Sequence, residues 1–108
     1  MKLKELKAAG GFVSSDHVKR SITWANTKGE EYTFDIFVRR SSFGSMERLI
    51  MADDDRSKSA QHIADCVLIG ENAEPKTYED AYALEPSLAK AILEQVRAVN
   101  GGDADAKN

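Results

Sequence analysis

Disulfides, membrane spans and phosphate loops are all missing from this sequence. Cys66 is the only cysteine, so no intramolecular disulfide can form, and the chain suits a reducing compartment. No stretch approaches the roughly 18 consecutive apolar residues of a membrane-spanning helix. The start, Met-Lys-Leu-Lys-Glu-Leu, has the basic character of a signal peptide but not the apolar stretch that would follow it. The expectation is a protein made and used in the cytoplasm, with no membrane partner. Gly10-Gly11 is too little for a phosphate-binding loop and reads as a helix stop. Internal repeats and low-complexity segments are absent as well.

What is present is an ordinary globular mixture. Hydrophobic residues make up 42% and charged residues 31% of 108 positions, enough for one modest core and too little chain for two domains. The formal net charge is −3, with bases in slight excess up to Arg48 and acids in clear excess after it. Such an asymmetry can orient a molecule against a charged partner, although solvated faces explain it more simply.

Periodicity divides the chain into strands followed by helices. Residues 1–10 form a short amphipathic segment in which Leu3 and Leu6 share a helical face; a helix this short needs something to dock against. From His17 to Trp24 the pattern alternates, with Val18, Ile22 and Trp24 on one side and Arg20 interrupting it. Tyr32, Phe34, Ile36 and Val38 alternate again, which predicts an antiparallel hairpin turning at Lys28-Gly29. Phe37 falls on the polar face, so both faces of the hairpin should be partly covered.

Phe43, Met46, Leu49 and Ile50 then fit a helical stripe, with Ser41 or Ser42 as N-cap. Asp53-Asp54-Asp55 ends that helix and is placed to cap the next one. The next stripe is Ala60, Ile63, Ala64, Val67 and Leu68, stopped by Gly70, although residues 66–69 also suit a short strand. Thr77 to Asp80 signals the start of a short helix reaching Leu84, and Pro86 opens a last helix with Leu88, Ile92, Leu93, Val96 and Val99 on one face. The predicted fold is α+β: a hairpin or small sheet packed against about four short C-terminal helices in one domain, residues 1–102, with a disordered polar tail over 103–108. Trp24, Phe34, Ile36, Ile63, Leu88, Ile92 and Val96 form the expected core. Phe34→Ala should then cost about 3–5 kcal/mol.

No constellation of residues amounts to a catalytic or metal site. His62 and Cys66 share a helical face, but a closed zinc site needs four ligands and a catalytic one three; the only other histidine is His17. As a nucleophile and base, the same pair lacks an orienting group, because Asp65 points about 100° away from Cys66 on a helix. Both residues therefore read as structural. Asp53-Asp54-Asp55 lacks the spaced carboxylates and glycine of a calcium loop. Lys19, Arg20, Lys28, Arg39 and Arg40 interleave with Trp24 and Phe37, a pattern that can stack single-stranded nucleic acid. Glu30, Glu31 and Asp35 in the same region, and a pI of about 5.4, argue against it. Trp24 reads instead as an apolar anchor beneath the helices. No cofactor, metal ligand or catalytic residue is expected.

Several segments resemble the phage tail assembly chaperones of long-tailed, lambda-like bacteriophages and prophages. They are Ile22-Thr23-Trp24, the run from Phe34 to Arg40, Ile63 to Leu68, Thr77 to Tyr82, Leu84 to Leu88 and Val99-Asn100-Gly101. The resemblance implies a non-catalytic protein that coats the tape-measure protein, keeps it soluble, recruits tail-tube subunits and leaves before the virion is finished. It implies self-association, here expected through the hairpin edge or the last helix, and it assigns no partner-binding residue. A small tail-completion protein retained in the virion would have the same composition.

The resemblance also implies a second, longer product made by a programmed −1 frameshift near the end of the gene. Ala106-Lys107-Asn108 can be encoded GCA-AAA-AAC, which contains the slippery A-AAA-AAC. The gene is expected to carry that heptamer and an open −1 frame beyond it. Another spelling of these codons, or immediate closure of that frame, excludes slippage here.

Overall fold

The computed structural model describes residues 1–101; the tail over 103–108 and the Ala106-Lys107-Asn108 frameshift site lie outside the described residues. In chain order the elements are α1 (Leu3–Ala8), β1 (His17–Ala25), β2 (Glu31–Arg39), α2 (Phe43–Met51), α3 (Lys58–Cys66), β3 (Val67–Ile69), α4 (Tyr78–Tyr82) and α5 (Pro86–Val99). The fold is α+β, with an antiparallel sheet in the order β1-β2-β3.

The two long strands pair along their whole length, from His17 opposite Arg39 to Ala25 opposite Glu31. Alternation puts Ile22, Phe34, Ile36 and Val38 on the face toward the helices. Ile36 and Val38 are wholly buried there, in one cluster with Ile63, Cys66, Val67, Ile92 and Val96. Arg20 stands on this apolar face, where its Nε–H donates to Gln95 Oε1 at 2.7 Å. Trp24 Nε1–H donates to Ser87 Oγ at 2.8 Å, so the indole lies at the start of α5 and its polar edge is satisfied. These two bonds tie α5 to β1 at both ends of its buried stripe.

The helix starts follow local chemistry. Ser42 caps α2 and Ser57 caps α3 through their side-chain oxygens; Thr77 and Asp80 form a reciprocal capping box on α4; Pro86 sits at the first position of α5. Tyr78 fixes the start of α3 from α4: its hydroxyl accepts from Ser57 N–H at 2.8 Å, and the Arg56 guanidinium lies 4.3 Å from its ring centroid.

One reading that the sequence left open, helix end or short strand over residues 66–69, is decided, and two expectations need correction. The helical stripe through Val67 and Leu68 breaks at Cys66, and Val67–Ile69 runs as β3 against Ile36 to Val38. Two β-branched residues find the open edge of β2, and backbone pairing there outweighs another helical turn. The Lys76 ammonium donates to the carbonyls of Ile63 (3.1 Å) and Val67 at this break, and the Ile63 carbonyl also accepts the Val67 N–H. Asp53-Asp54-Asp55 does not cap α3; Asp54 turns back to accept from Arg56 N–H at 3.0 Å, and Ser57 takes the cap. Finally, Trp24, Phe34 and Leu88 pack against the core but are only half-buried.

Truncation at the centre should therefore be the severe change. Ile36→Ala and Ile92→Ala are each expected to lower unfolding free energy by about 2–5 kcal/mol in urea melts. Phe34→Ala should cost only about 1–2 kcal/mol, because part of that ring is already in water.

Candidate functional site

A cleft of about 650 Å³ lies between α2 and α3. The end of β2 supplies Arg39 and Ser41, α2 supplies Met46 and Leu49, and α3 supplies His62, Asp65 and Cys66. Ser41 organises its floor. The Ser41 hydroxyl lies 3.0 Å from His62 Nε2 and 3.1 Å from Cys66 Sγ, while its N–H donates to Asn100 Oδ1 at 2.9 Å. The helical spacing of His62 and Cys66 does put both on one face, as the sequence implied. Ser41 is the partner that the sequence did not reveal, because it arrives from the connection between β2 and α2, 21 positions before His62.

The chemistry of this trio is limited by burial. Cys66 is 2% exposed, so an external substrate has no approach to the thiol. Burial lowers the pKa of His62, and the negative charge of Asp65 offsets part of that. Asp65 does not orient the imidazole; its carboxylate accepts from Gln61 Nε2 at 2.9 Å instead. Among the described residues no group of three or more His, Cys, Asp or Glu side chains could hold a metal ion. His17 stands exposed at the head of β1, opposite Arg39.

The basic hairpin residues do not converge on one surface. Lys19 pairs with Asp35 at 3.5 Å on the outer face of the sheet, where Phe37 also lies. Arg20 and Trp24 point the other way, into contacts with α5. The Arg39 guanidinium donates to the carbonyl of Asp65 at 2.9 Å, Arg40 follows the end of β2, and Lys28 is in the turn between β1 and β2. A stacking platform for nucleic acid needs its aromatic and basic groups on the same side.

Uncovered apolar surface lies elsewhere. α2 buries none of its residues: Phe43 is 82% and Met51 74% exposed, and Ile50 is also exposed. Phe43, Met46, Ile50 and Met51 line a second, shallow depression of about 300 Å³, with Glu47 at its rim. α1 likewise buries nothing, and Leu3, Leu6, Phe12 and Val13 are exposed around it. A helical stripe in sequence looks the same whether it meets the chain's own core or another molecule, so periodicity did not distinguish these helices from α5.

A family model described as phage tail assembly chaperone, TAC, matches residues 4–100. The chain belongs to the phage tail assembly chaperone family. No curated protein and no solved structure matches it. The match takes in both halves of this chaperone-family chain, including the stretch from Ser41 to Gln61 that joins the hairpin to α3. Membership implies phage tail proteins as partners. No helix among the described residues is long and apolar enough to cross a membrane.

The lowered pKa of His62 has a consequence for stability. A histidine held neutral in the folded chain contributes stability that is present above its ordinary pKa of 6.5 and is lost as pH falls through the lowered value. The unfolding free energy of the native chain should therefore decline on acidification from pH 6.5, and His62→Gln should flatten that decline. Urea melts at a series of pH values read both outcomes.

Proposed function

We propose that this chain binds the tape-measure protein as it is made, holds it soluble, recruits tail-tube subunits to it, and departs before the virion is complete. The family match over residues 4–100 carries this reading. The physical support is the pattern of exposure. A tape-measure protein is a long chain with extended apolar stripes, and a folded domain that leaves Phe43, Ile50 and Met51 uncovered has apolar surface to offer. Each contact is small and therefore weak, which allows later displacement. Many copies along one client supply the strength that a single contact lacks.

The role is binding without covalent chemistry. Ser41, His62 and Cys66 serve it indirectly, by joining the end of β2 to α3 beneath α2. The proposed site of action is the host cytoplasm, and the mature virion should not contain the protein.

Co-expression in bacteria tests the reading. The tape-measure protein of the same phage or prophage is expected in the soluble fraction when this chain is present and in the pellet when it is absent. Cys66→Ser and His62→Ala should retain the effect, since neither residue reaches the client. Purified virions should lack the chain by mass spectrometry; stoichiometric retention there would identify a tail component and overturn the chaperone role.

A further inference from the structure

The walls of the cleft between α2 and α3 carry more positive than negative charge: Arg39, Arg48, Arg56 and Lys58 stand against Asp54 and Asp65. Lys58 and Arg56 are committed to the fold. Lys58 Nζ donates to the carbonyls of Leu49 and Ala52, each at 3.1 Å, and so satisfies the end of α2. Arg56 lies on the Tyr78 ring, donates to Gln61 Oε1 at 3.1 Å and pairs with Glu79 at 3.6 Å. Arg39 and Arg48 have capacity left over. The exposed Arg48 side chain makes no hydrogen bond or ion pair among the described residues. Arg39 uses a terminal N–H on the Asp65 carbonyl, while its Nε is buried with no acceptor among the described residues. Buried donors are normally paired, and one left over in a cleft wall is a place for an acceptor that enters from outside.

The same helix is apolar on its other side. Met46 lines both this cleft and the shallow depression between Phe43 and Met51, so the two are neighbours across α2. An occupant of both needs an anionic group for the cleft and an apolar side chain for the depression. No aromatic residue lines the cleft, so it offers no platform for a nucleobase. Asp54 and Asp65 in its walls oppose a doubly charged phosphate more than a singly charged carboxylate. These features fit a peptide segment with an acidic residue set among apolar ones.

We propose that Arg39 and Arg48 bind a carboxylate side chain of the client, an aspartate or glutamate within an apolar stripe, while the apolar residues beside it lie across α2 on Phe43, Met46 and Ile50. Arginine suits this role because its planar fork meets both oxygens of a carboxylate. His62 is turned to Ser41 and Cys66 is buried, so the entering group meets the arginines and not the floor of the cleft. Acidic positions then select where along an apolar client each copy sits, and the bond weakens as salt rises. The identity of the client rests on the tape-measure reading; the chemistry of the cleft does not.

Two experiments test the cleft and the client separately. In the first, the purified full chain is titrated with the peptide acetyl-Leu-Glu-Glu-Leu-amide and with its glutamine counterpart, and the arginine Nε–H resonances are followed by NMR. The glutamate peptide is expected to shift the signals of Arg39 and Arg48 to saturation. The glutamine peptide should bind roughly tenfold more weakly, the loss expected for a charge-assisted bond. Equal binding of the two peptides, or shifts from neither, overturns the site. Tighter binding of inorganic phosphate at the same signals makes the cleft a phosphate site and overturns it too. In the second, Arg48→Gln replaces the native chain in co-expression with the tape-measure protein. Arg48 is exposed and glutamine is a good helix former, so the unfolding midpoint should hold. The client is expected to move toward the pellet with Arg48→Gln and to stay largely soluble with Arg48→Lys. A client that Arg48→Gln keeps as soluble as the native chain does overturns the cleft as its docking site and leaves the tape-measure reading standing. A native chain that fails to solubilise the client overturns that reading, and with it the identity of the ligand, while the peptide titration still decides the chemistry of the cleft.

Discussion

Ile36 and Val38 stand on the middle strand with no exposure to water, and three separate parts of the chain meet on them. β1 pairs on one side, β3 on the other, and the stripes of α3 and α5 close over the face. Burial of apolar area is the main favourable term in a domain of this size, and little of it is available to spare. A small core anchored at one strand leaves the elements furthest from that strand poorly covered. α1 and α2 bury no residue and contribute none to that core.

The core and the strands were largely legible in the sequence. Alternation from Tyr32 to Val38 gave β2 its inward face, and the spacing of Leu88, Ile92 and Val96 gave α5 its stripe. Capping chemistry was legible too, because Ser42, Thr77 and Pro86 act on groups within a few residues of themselves. Readings stayed open or failed where a distant partner decided the outcome. Val67 and Leu68 fit a helix by local spacing, but the open edge of β2 drew them into a strand. Asp53-Asp54-Asp55 had the right charge for a cap, but Ser57 is one residue from the start of α3 and has the right reach.

The candidate site was less legible for the same reason. Nothing near His62 or Cys66 in the sequence points to Ser41, which reaches them only after the hairpin and α3 are assembled. Exposure was invisible in a different way. The stripe of Phe43, Met46, Leu49 and Ile50 was read correctly as a helix, yet the pattern carries no information about what will cover it. The family resemblance supplied a role but no surface, since the segments that carry it are strands, caps and stripes that any binding face would need.

The bond between Ser41 and Asn100 fixes where the chain leaves the domain. α5 ends at Val99, and the Asn100 amide, which also donates to the Val96 carbonyl at 2.8 Å, is held against the end of β2. Anything attached after Asn100 is thus tethered beside Ser41, which lines the cleft between α2 and α3. A tether so placed raises the local concentration of whatever it carries near that cleft, at no cost to the fold. Extensions of different length or composition would give otherwise identical domains different neighbourhoods at one fixed point on the surface.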